Sequence, residues 1–407
     1  MTLALLLTWL LLLAEALFAI FIIYLVVVSV AALIRGRRLR HSASGALDAQ
    51  SAPFIAVLIP AHNEEKVVGR LLDSLSAITY PADRFRLHLI ADNCTDQTVA
   101  IATASGHVTV HERHDLAERG KGYALKWAFA RLERSSEPWD AILVLDADSV
   151  VSPDVLDPLG RGLLAGARAM QTQNLVLNGA DSPGTALRWL ALALMNHVRP
   201  LGRNALGASA TLTGNGMCLS RDLLREHPWR AFGLAEDYEY YLHLVEHGQR
   251  VLYAPDARVR SVMPVSFEAM RTQDVRWEST RQERSKLAMV RALAAAGLRS
   301  RDGARLEAIF ELMTPPLSIL LGFSVLLLAA GAGLWALAGV WLPFALALCL
   351  GLGLGVYLVA PLFLLRPPHG LLRALLFAPA FAAWKLWVLL VLRHRSREWV
   401  PTQRASV

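Results

Sequence analysis

Cysteine is scarce: the 407 residues hold three, Cys94, Cys218 and Cys349, scattered without metal-ligand spacing or any pairable pattern. That excludes a disulfide scaffold and fits a reducing compartment. Charge is scarce too. Only 18% of residues are charged against 54% hydrophobic, and mean hydropathy is +0.38, too apolar for an ordinary soluble protein. No internal repeat is visible, and no low-complexity tract beyond the apolar segments themselves. Those segments are unevenly placed, before about Leu33 and after about Leu317, leaving a middle long enough for one sizeable α/β domain. The formal charge of +7 and pI near 9.6 could suggest a nucleic-acid partner. The basic residues track the edges of the apolar segments, however, where they read as membrane-surface anchors, and no nucleic-acid partner is expected.

Thr2 to Ile34 is almost wholly apolar and is followed by Arg35-Gly-Arg-Arg-Leu-Arg40. It is too long for a signal-peptide core, and its basic cluster comes after the run instead of preceding it. It reads as a membrane-spanning helix, with the basic end and the middle domain on the cytoplasmic side. Glu15 within it is expensive and is expected to face other helices or the interface. Two further spans are expected over Leu317–Ala338 and Val340–Leu365. Leu371–Leu392 contains Pro379 and Lys385, and a span there would put Arg393-His-Arg-Ser-Arg397 outside, so an interfacial or re-entrant segment is favoured.

The middle opens with Phe54-Ile-Ala-Val-Leu-Ile59, a short apolar run that reads as a buried strand, followed by a helix from about Glu65 to Ser76. Leu87–Ala91, Val108–Val110 and Ala141–Leu145 read as further strands, with a helix opened by Arg119-Gly-Lys-Gly122 between the last two. Ala169–Val176 and Arg250–Ala254 come next, with a helix from Thr185 to about Val198 between them. Strands alternating with helices predict an α/β fold with a doubly wound, mostly parallel sheet. In such sheets ligands collect at the carboxyl ends of the strands, and acids stand there: Glu64, Asp92, Asp146 and Asp148. Two aspartates ending a buried strand are costly unless a divalent cation compensates them. Plainer readings exist for each: a solvated loop for Asp146-Ala-Asp148, a helix-start acid for Glu64, a turn residue for Asp92, an ordinary lysine for Lys121. Downstream come a glycine-rich turn, Thr213-Gly-Asn-Gly-Met-Cys218, and Glu236-Asp237 at the start of a helix, where its dipole favours ionised acids. A basic, amphipathic stretch from Thr272 carries Arg281, Arg284, Lys286, Arg291, Arg299, Arg301 and Arg305, suited to an anionic membrane surface.

In order, Pro60-Ala-His-Asn-Glu64, Asp92, Lys121, Asp146-Ala-Asp148, Gly214-Asn-Gly216, Glu236-Asp237 and Gln273-Asp-Val-Arg-Trp277 resemble the motifs of membrane-embedded family 2 glycosyltransferases of the GT-A fold, in the branch of cellulose, chitin and hyaluronan synthases. The resemblance covers about Phe54 to Lys286, and its ordered set is far more specific than Asp-X-Asp alone. It implies a Rossmann-like GT-A domain inserted between transmembrane and interfacial helices. The implied layout is a membrane helix and basic flank over 1–40, a linker over 41–53 and the GT-A domain over 54–270. The Gln-X-X-Arg-Trp motif and interfacial region take 271–316, a membrane region 317–392 and a basic cytoplasmic tail 393–407.

The resemblance further implies inverting transfer from a UDP-sugar, UDP-glucose or UDP-N-acetylglucosamine foremost, with Mg²⁺ or Mn²⁺. Asp148 and Asp146 would hold the metal, which neutralises the leaving diphosphate. Glu64, Asp92, Lys121, Asp146 and Arg276 would bind the donor. Asp237 would be the general base. Gly214, Asn215, Gly216, Glu236, Gln273 and Trp277 would serve the acceptor, Trp277 as a flat face for a sugar or else as a headgroup anchor. Two departures stand out: Ala235 where Thr usually precedes the Glu-Asp pair, and Asp274 where a basic residue or Gln is frequent in polymerising members. The membrane part is also small for a polymer channel. The leading expectation is a growing β-linked polysaccharide as acceptor, made by a homo-oligomer or with a separate export partner, at the cell inner membrane. The alternative is a single sugar added to a lipid, diacylglycerol or polyprenyl phosphate, and a remote one is a non-catalytic membrane scaffold.

Overall fold

The computed structural model describes residues 3–40, 47–233, 235–263 and 286–387. Alternation along the strands decides the two faces of its sheet. Strand β1 (Ile55–Ala61) sends Ile55, Val57 and Ile59 into one apolar layer and Ala56 and Leu58 into the other. Strand β4 (Ala141–Val144) does the same, Ala141 and Leu143 against Ile142 and Val144. Both strands are apolar on both faces because both faces are covered. With β2 (Phe85–Asp92), β3 (Thr109–Arg113), β5 (Ser149–Val151), β6 (Ala169–Val176), β7 (Met217–Ser220) and β8 (Val251–Ser261) they form one eight-stranded sheet of order β3-β2-β1-β4-β7-β6-β8-β5.

The pairings of β3, β2, β1 and β4 are all parallel, as is β6 with β8. The sheet is mixed because β7 runs antiparallel between β4 and β6, and β5 antiparallel beside β8. Neither β5 nor β7 is legible as a strand in the sequence. Each is only a few residues long and adjoins a polar motif that reads as a turn. Strand β8 also runs well past Ala254, and its pairing with β6 shifts register between Thr172 and Gln173.

One face of the sheet is covered by α2 (Val68–Ser76), α3 (Thr98–Ala104) and α5 (Leu156–Leu164), through Leu71, Leu72, Leu75, Ala102 and Leu159. The first of these begins at Val68, where its apolar face begins and three residues after the expected start near Glu65, the chain turning at Glu64 before it. The other face carries α4 (Lys121–Arg134), α6 (Pro183–Ala193), α7 (Arg199–Ala205), α8 (Arg221–Glu226) and α9 (Glu236–Glu246). Its apolar layer is continuous with that of the long helix α1 (Leu3–Arg40), through Phe18, Ile22 and Leu25. Helices α6 and α7 are joined by one π-helical turn, Leu194–Val198. Such a turn rotates the next stretch of helix, and so re-aims Arg199 and Arg203 on α7.

After α10 (Lys286–Ser300) and α11 (Gly303–Met313) come α12 (Leu317–Ala338) and α13 (Leu342–Leu364). Among the described residues three helices are long and apolar enough to cross a membrane: α1, α12 and α13. They close on one another where side chains are missing. A Cβ on Gly331 of α12 would stand 2.8 Å from the Phe344 backbone of α13, and one on Gly353 of α13 would stand 2.7 Å from Ile22 of α1. Gly202 of α7 meets the Val28 carbonyl of α1, where a Cβ would stand 2.0 Å from the oxygen. Glu15 faces inward, 2% exposed. After α13 the described residues run through α14 (Leu371–Ala374), a 3₁₀ turn, Leu375–Phe377, and α15 (Ala378–Trp387). Pro379 can stand at the opening of α15 because the first turn needs no donor from it.

Candidate active site

The carboxyl ends of β2, β1 and β4 lie side by side, and each delivers an acid. Both β1 and β2 turn off through asparagines with positive φ, Asn63 at 55° and Asn93 at 53°, a conformation Asn tolerates. Asn63 Oδ1 accepts from the Thr95 amide at 2.8 Å and Asn93 Oδ1 from the Asp115 amide at 2.8 Å, so the two strand ends brace neighbouring loops. Glu64 comes just after the first turn, its amide donating to Thr98 Oγ1 at 2.8 Å. Asp92, 5% exposed, accepts from Arg113 Nη1 at 2.6 Å. Arg113 carries no signal in the sequence. It reaches Asp92 only because β3 pairs with β2 in a register that sets Asp92 against Arg113.

Lys121 is placed by the glycines around it. Gly120 takes φ +111° at the N-terminus of α4, which L side chains rarely adopt, and a Cβ on Gly122 would stand 2.3 Å from the Ala231 carbonyl oxygen. The lysine therefore points into the cleft while its helix end presses against the chain leading to α9. Lys121 Nζ donates to Asp146 Oδ1 at 2.5 Å and to the Gly214 carbonyl at 2.8 Å, and lies 4.0 Å from Glu236 Oε1. Gly214, with φ +74°, passes so near that a Cβ would sit 3.0 Å from Asp237 Oδ2. Four expected site residues thus converge: Lys121, Asp146, Glu236 and Asp237. Asp148 is two residues along the same turn, half-buried, before Ser149 opens β5.

Three carboxylates around one ammonium leave the cleft with surplus negative charge. Burial pushes the Glu236 carboxyl up to about 8, the Lys121 ammonium opposing the rise and Asp237 adding to it. Burial likewise raises Asp237, again against Lys121. Burial alone would lower the Lys121 ammonium, but Asp146 and Glu236 outweigh it and hold Lys121 above its ordinary value. A site of this kind favours a proton or a cation on its carboxylates. The donor set is hard oxygen, which suits Mg²⁺ or Mn²⁺.

Asn215, expected to meet an acceptor, is committed elsewhere. Its side chain is 2% exposed, accepts from the Asp146 amide at 3.1 Å, and donates to Ser149 Oγ at 2.8 Å and Ser261 Oγ at 3.0 Å. It braces the Asp146–Asp148 turn from behind. Gly216 is also internal, a Cβ there being 1.7 Å from Thr172 Oγ1. Of this turn only Gly214 borders the cleft. Gln171 was not expected in the site, yet it ties the turn down, donating to the Asn215 carbonyl at 2.7 Å and accepting from the Thr213 amide at 3.0 Å. Gln273, Arg276 and Trp277 lie outside the described residues.

Residues 52–280 match the model of the glycosyltransferase-like family 2, more than half the chain. The chain is a family 2 glycosyltransferase. This glycosyltransferase is 27% identical over 238 residues to a probable glycosyltransferase, YdaM, of Bacillus subtilis, covering 55% of the chain and 54% of that protein. It is 28% identical over 222 residues to a β-monoglucosyldiacylglycerol synthase of Nostoc, covering 52% of the chain and 46% of that protein. The chain thus spans about half the length of the curated relatives it matches. Its fold matches that of the Pyrobaculum calidifontis mannosyltransferase PcManGT, solved with GDP-mannose and Mn²⁺, at TM-score 0.51 and 19% identity, covering 91% of this chain and 99% of that one. The GT-A architecture of the family 2 glycosyltransferase is therefore established, with apolar helices flanking it.

Proposed function

We propose that this enzyme transfers one sugar from a UDP-sugar, UDP-glucose or UDP-N-acetylglucosamine foremost, to the hydroxyl of a lipid acceptor such as a diacylglycerol, with inversion at the anomeric carbon. The observation that carries the choice of acceptor is the close packing of α1, α12 and α13. Gly331 brings α12 against the backbone of α13, and Gly353 lets the Ile22 side chain of α1 close on α13, which favours an acceptor that approaches the cleft along the bilayer surface over one threaded through the bundle. The β-monoglucosyldiacylglycerol synthase among the relatives supports the same acceptor class. In this reading 54–270 is the catalytic domain on the cytoplasmic side of the inner membrane, 271–316 lies at the interface, 317–392 is membrane region and 393–407 a cytoplasmic tail.

Asp148 and Asp146 hold a divalent cation, Mg²⁺ or Mn²⁺, which when bound neutralises the charge developing on the departing diphosphate. Glu64 and Asp92 accept hydrogen bonds from the nucleoside, Asp92 held rigid by Arg113. Lys121 exchanges its tie to Asp146 for the diphosphate, a point charge with freely rotating donors. The acceptor oxygen attacks the anomeric carbon as the carbon–oxygen bond to UDP breaks, UDP leaving with the electron pair. Asp237 takes the hydroxyl proton, its raised proton affinity making it the better base. Glu236 positions the acceptor beside it.

A second reading, extension of a β-linked polysaccharide, is favoured by the Gln273-Asp-Val-Arg-Trp277 pattern, Arg276 clamping the diphosphate and Trp277 stacking on a sugar. The deciding experiment supplies purified full-length protein in diacylglycerol-containing nanodiscs with radiolabelled UDP-sugars and Mn²⁺. Label extractable into organic solvent establishes the lipid acceptor. Label precipitating with alcohol as polymer overturns it.

A further inference from the structure

Helix α9 carries a second constellation at its other end. His243 and His247 stand one turn apart on one face, with ring centroids 4.2 Å apart. His227, the residue that ends α8, closes the group from the side, 5.6 Å from His243 and 5.4 Å from His247 by ring centroids. One ring nitrogen from each lies within 4.8 Å of the other two. We propose that His227, His243 and His247 form a binding site for a transition-metal ion, Zn²⁺ foremost, distinct from the carboxylate site at the head of the same helix.

Three observations carry this. First, His227 is 8% exposed, and its Nε2 has no hydrogen-bond partner. A buried polar nitrogen left so is destabilising unless a ligand satisfies it. Its nearest charged neighbour is Glu226 Oε1 at 3.6 Å, an oxygen able to join or back a cation. Second, His247 Nδ1 lies 2.8 Å from the His243 carbonyl, a bond that requires the proton on Nδ1 and leaves the Nε2 lone pair for a metal. Ligating histidines are ordinarily fixed in this way by a carbonyl or carboxylate behind them. Third, His227 stands edge-on to both partners, at interplanar angles of 72° to His243 and 61° to His247, so the rings meet from two elements, α8 and α9.

Two histidines at i and i+4 of a helix are a recurring metal-binding pair. An all-imidazole set suits Zn²⁺, Cu²⁺ or Ni²⁺ and is a poor match for Mg²⁺ or Mn²⁺, which prefer oxygen. At a Zn–N distance of about 2.1 Å, tetrahedral geometry sets the nitrogens about 3.4 Å apart, within reach of small ring rotations. His247 is exposed, which gives the ion an entry path. The cationic neighbours are Arg168 and Arg230, and Arg168 is already engaged by Glu226 and by Gln249 Oε1 at 3.1 Å. The ion would join the end of α8 to the end of α9. The latter is the helix whose second residue is Asp237, about 9 Å up the axis from His243. Sequence patterning gives only the His243–His247 half of the group, because His227 is brought in by tertiary packing.

The test uses the full-length chain in detergent, made without a polyhistidine tag and titrated with Co²⁺ alone. One equivalent should bind with the visible ligand-field band of a nitrogen-ligated ion and be displaced by Zn²⁺. The band should be unchanged in Asp148→Ala, which removes the carboxylate metal site. His243→Ala and His247→Ala should each weaken Co²⁺ at least about tenfold. His247 is exposed, so His247→Ala should keep wild-type UDP binding with Mn²⁺, which separates loss of the ion from loss of the fold. Absence of a band in the wild type, its loss in Asp148→Ala, or its persistence in both histidine variants would overturn the proposal.

Discussion

Helix α9 takes part in two clusters of buried charge built on opposite rules. At its first turn, Asp146, Glu236 and Asp237 surround Lys121, three acids to one base. One turn on, Tyr241 joins a cluster in which Arg199 and Arg203 face Glu307 and Glu311, two to two. There Arg203 is 1% exposed and every nitrogen is used: Nε and Nη2 donate to Glu307 at 2.7 and 2.8 Å, Nη1 to Thr211 at 2.7 Å, and Nη2 also to Tyr241 at 2.8 Å. Tyr24 of α1 donates to Glu307 at 2.6 Å, and Arg199 lies 3.4 Å from Glu311. The balanced cluster matches each arginine with an acid and holds α1, α7, α9 and α11 together. The unbalanced one has two acids more than bases, an excess that one divalent cation would offset.

The contrast breaks most sharply at the acids. Asp237→Asn should lower kcat by about 10²–10⁴, the usual worth of a general base, with UDP and Mn²⁺ affinity retained. Near-normal turnover in a radiolabel assay would move the base elsewhere. Asp148→Ala should instead abolish the Mn²⁺ dependence of UDP binding by calorimetry. The balanced cluster should fail differently. Arg203→Met leaves Glu307 without its arginine, two acids against Arg199 alone, and should cost about 3–5 kcal/mol, read as a lowered thermal midpoint in detergent. Restoring balance with Glu307→Leu in the same chain should recover much of that loss, whereas no such pairing rescues Asp237→Asn.

Titration separates the clusters further. The folded, metal-free enzyme keeps on Glu236 a proton that the unfolded chain has released between its ordinary value of 4.5 and about 8. Stability should therefore fall as pH rises through that window, by up to about 1.4 kcal/mol per unit. Glu236→Gln should flatten the slope, and saturating Mn²⁺ with UDP should reduce it. A flat profile across that window would mean that Glu236 is ionised in the resting fold. The smallest effect expected is that of Tyr24→Phe, about 1 kcal/mol for one hydrogen bond, with turnover unchanged.

Legibility in the sequence divides along the same line. Strand ends and their acids were legible because apolar runs and polar stops are local signals, so Glu64, Asp92, Asp146 and Lys121 fell where expected. Arg113 and Gln171 were not, since each acts only through a strand register or a loop crossing that no local pattern encodes. Asn215 was assigned to the acceptor by motif, but its burial behind the Asp146 turn depends on β5 and β8 meeting there, and β5 left no readable trace. The balanced cluster was invisible altogether. Its arginines, Arg199 and Arg203, lie about a hundred residues before its acids, Glu307 and Glu311. The π-helical turn that aims the arginines has no composition of its own.

The tie from Arg203 to both Tyr241 and the α1–α11 pair also changes what concentration means to this enzyme. With α9 fastened to a helix able to lie across a bilayer, the Asp237 carboxylate, the proposed base, would sample a sheet of solvent and headgroups, not a volume. On the proposed reading, encounter with a lipid acceptor would become a planar search. Diluting the vesicles should leave the initial rate per enzyme untouched, while diluting the acceptor among inert lipids should lower it in proportion to mole fraction.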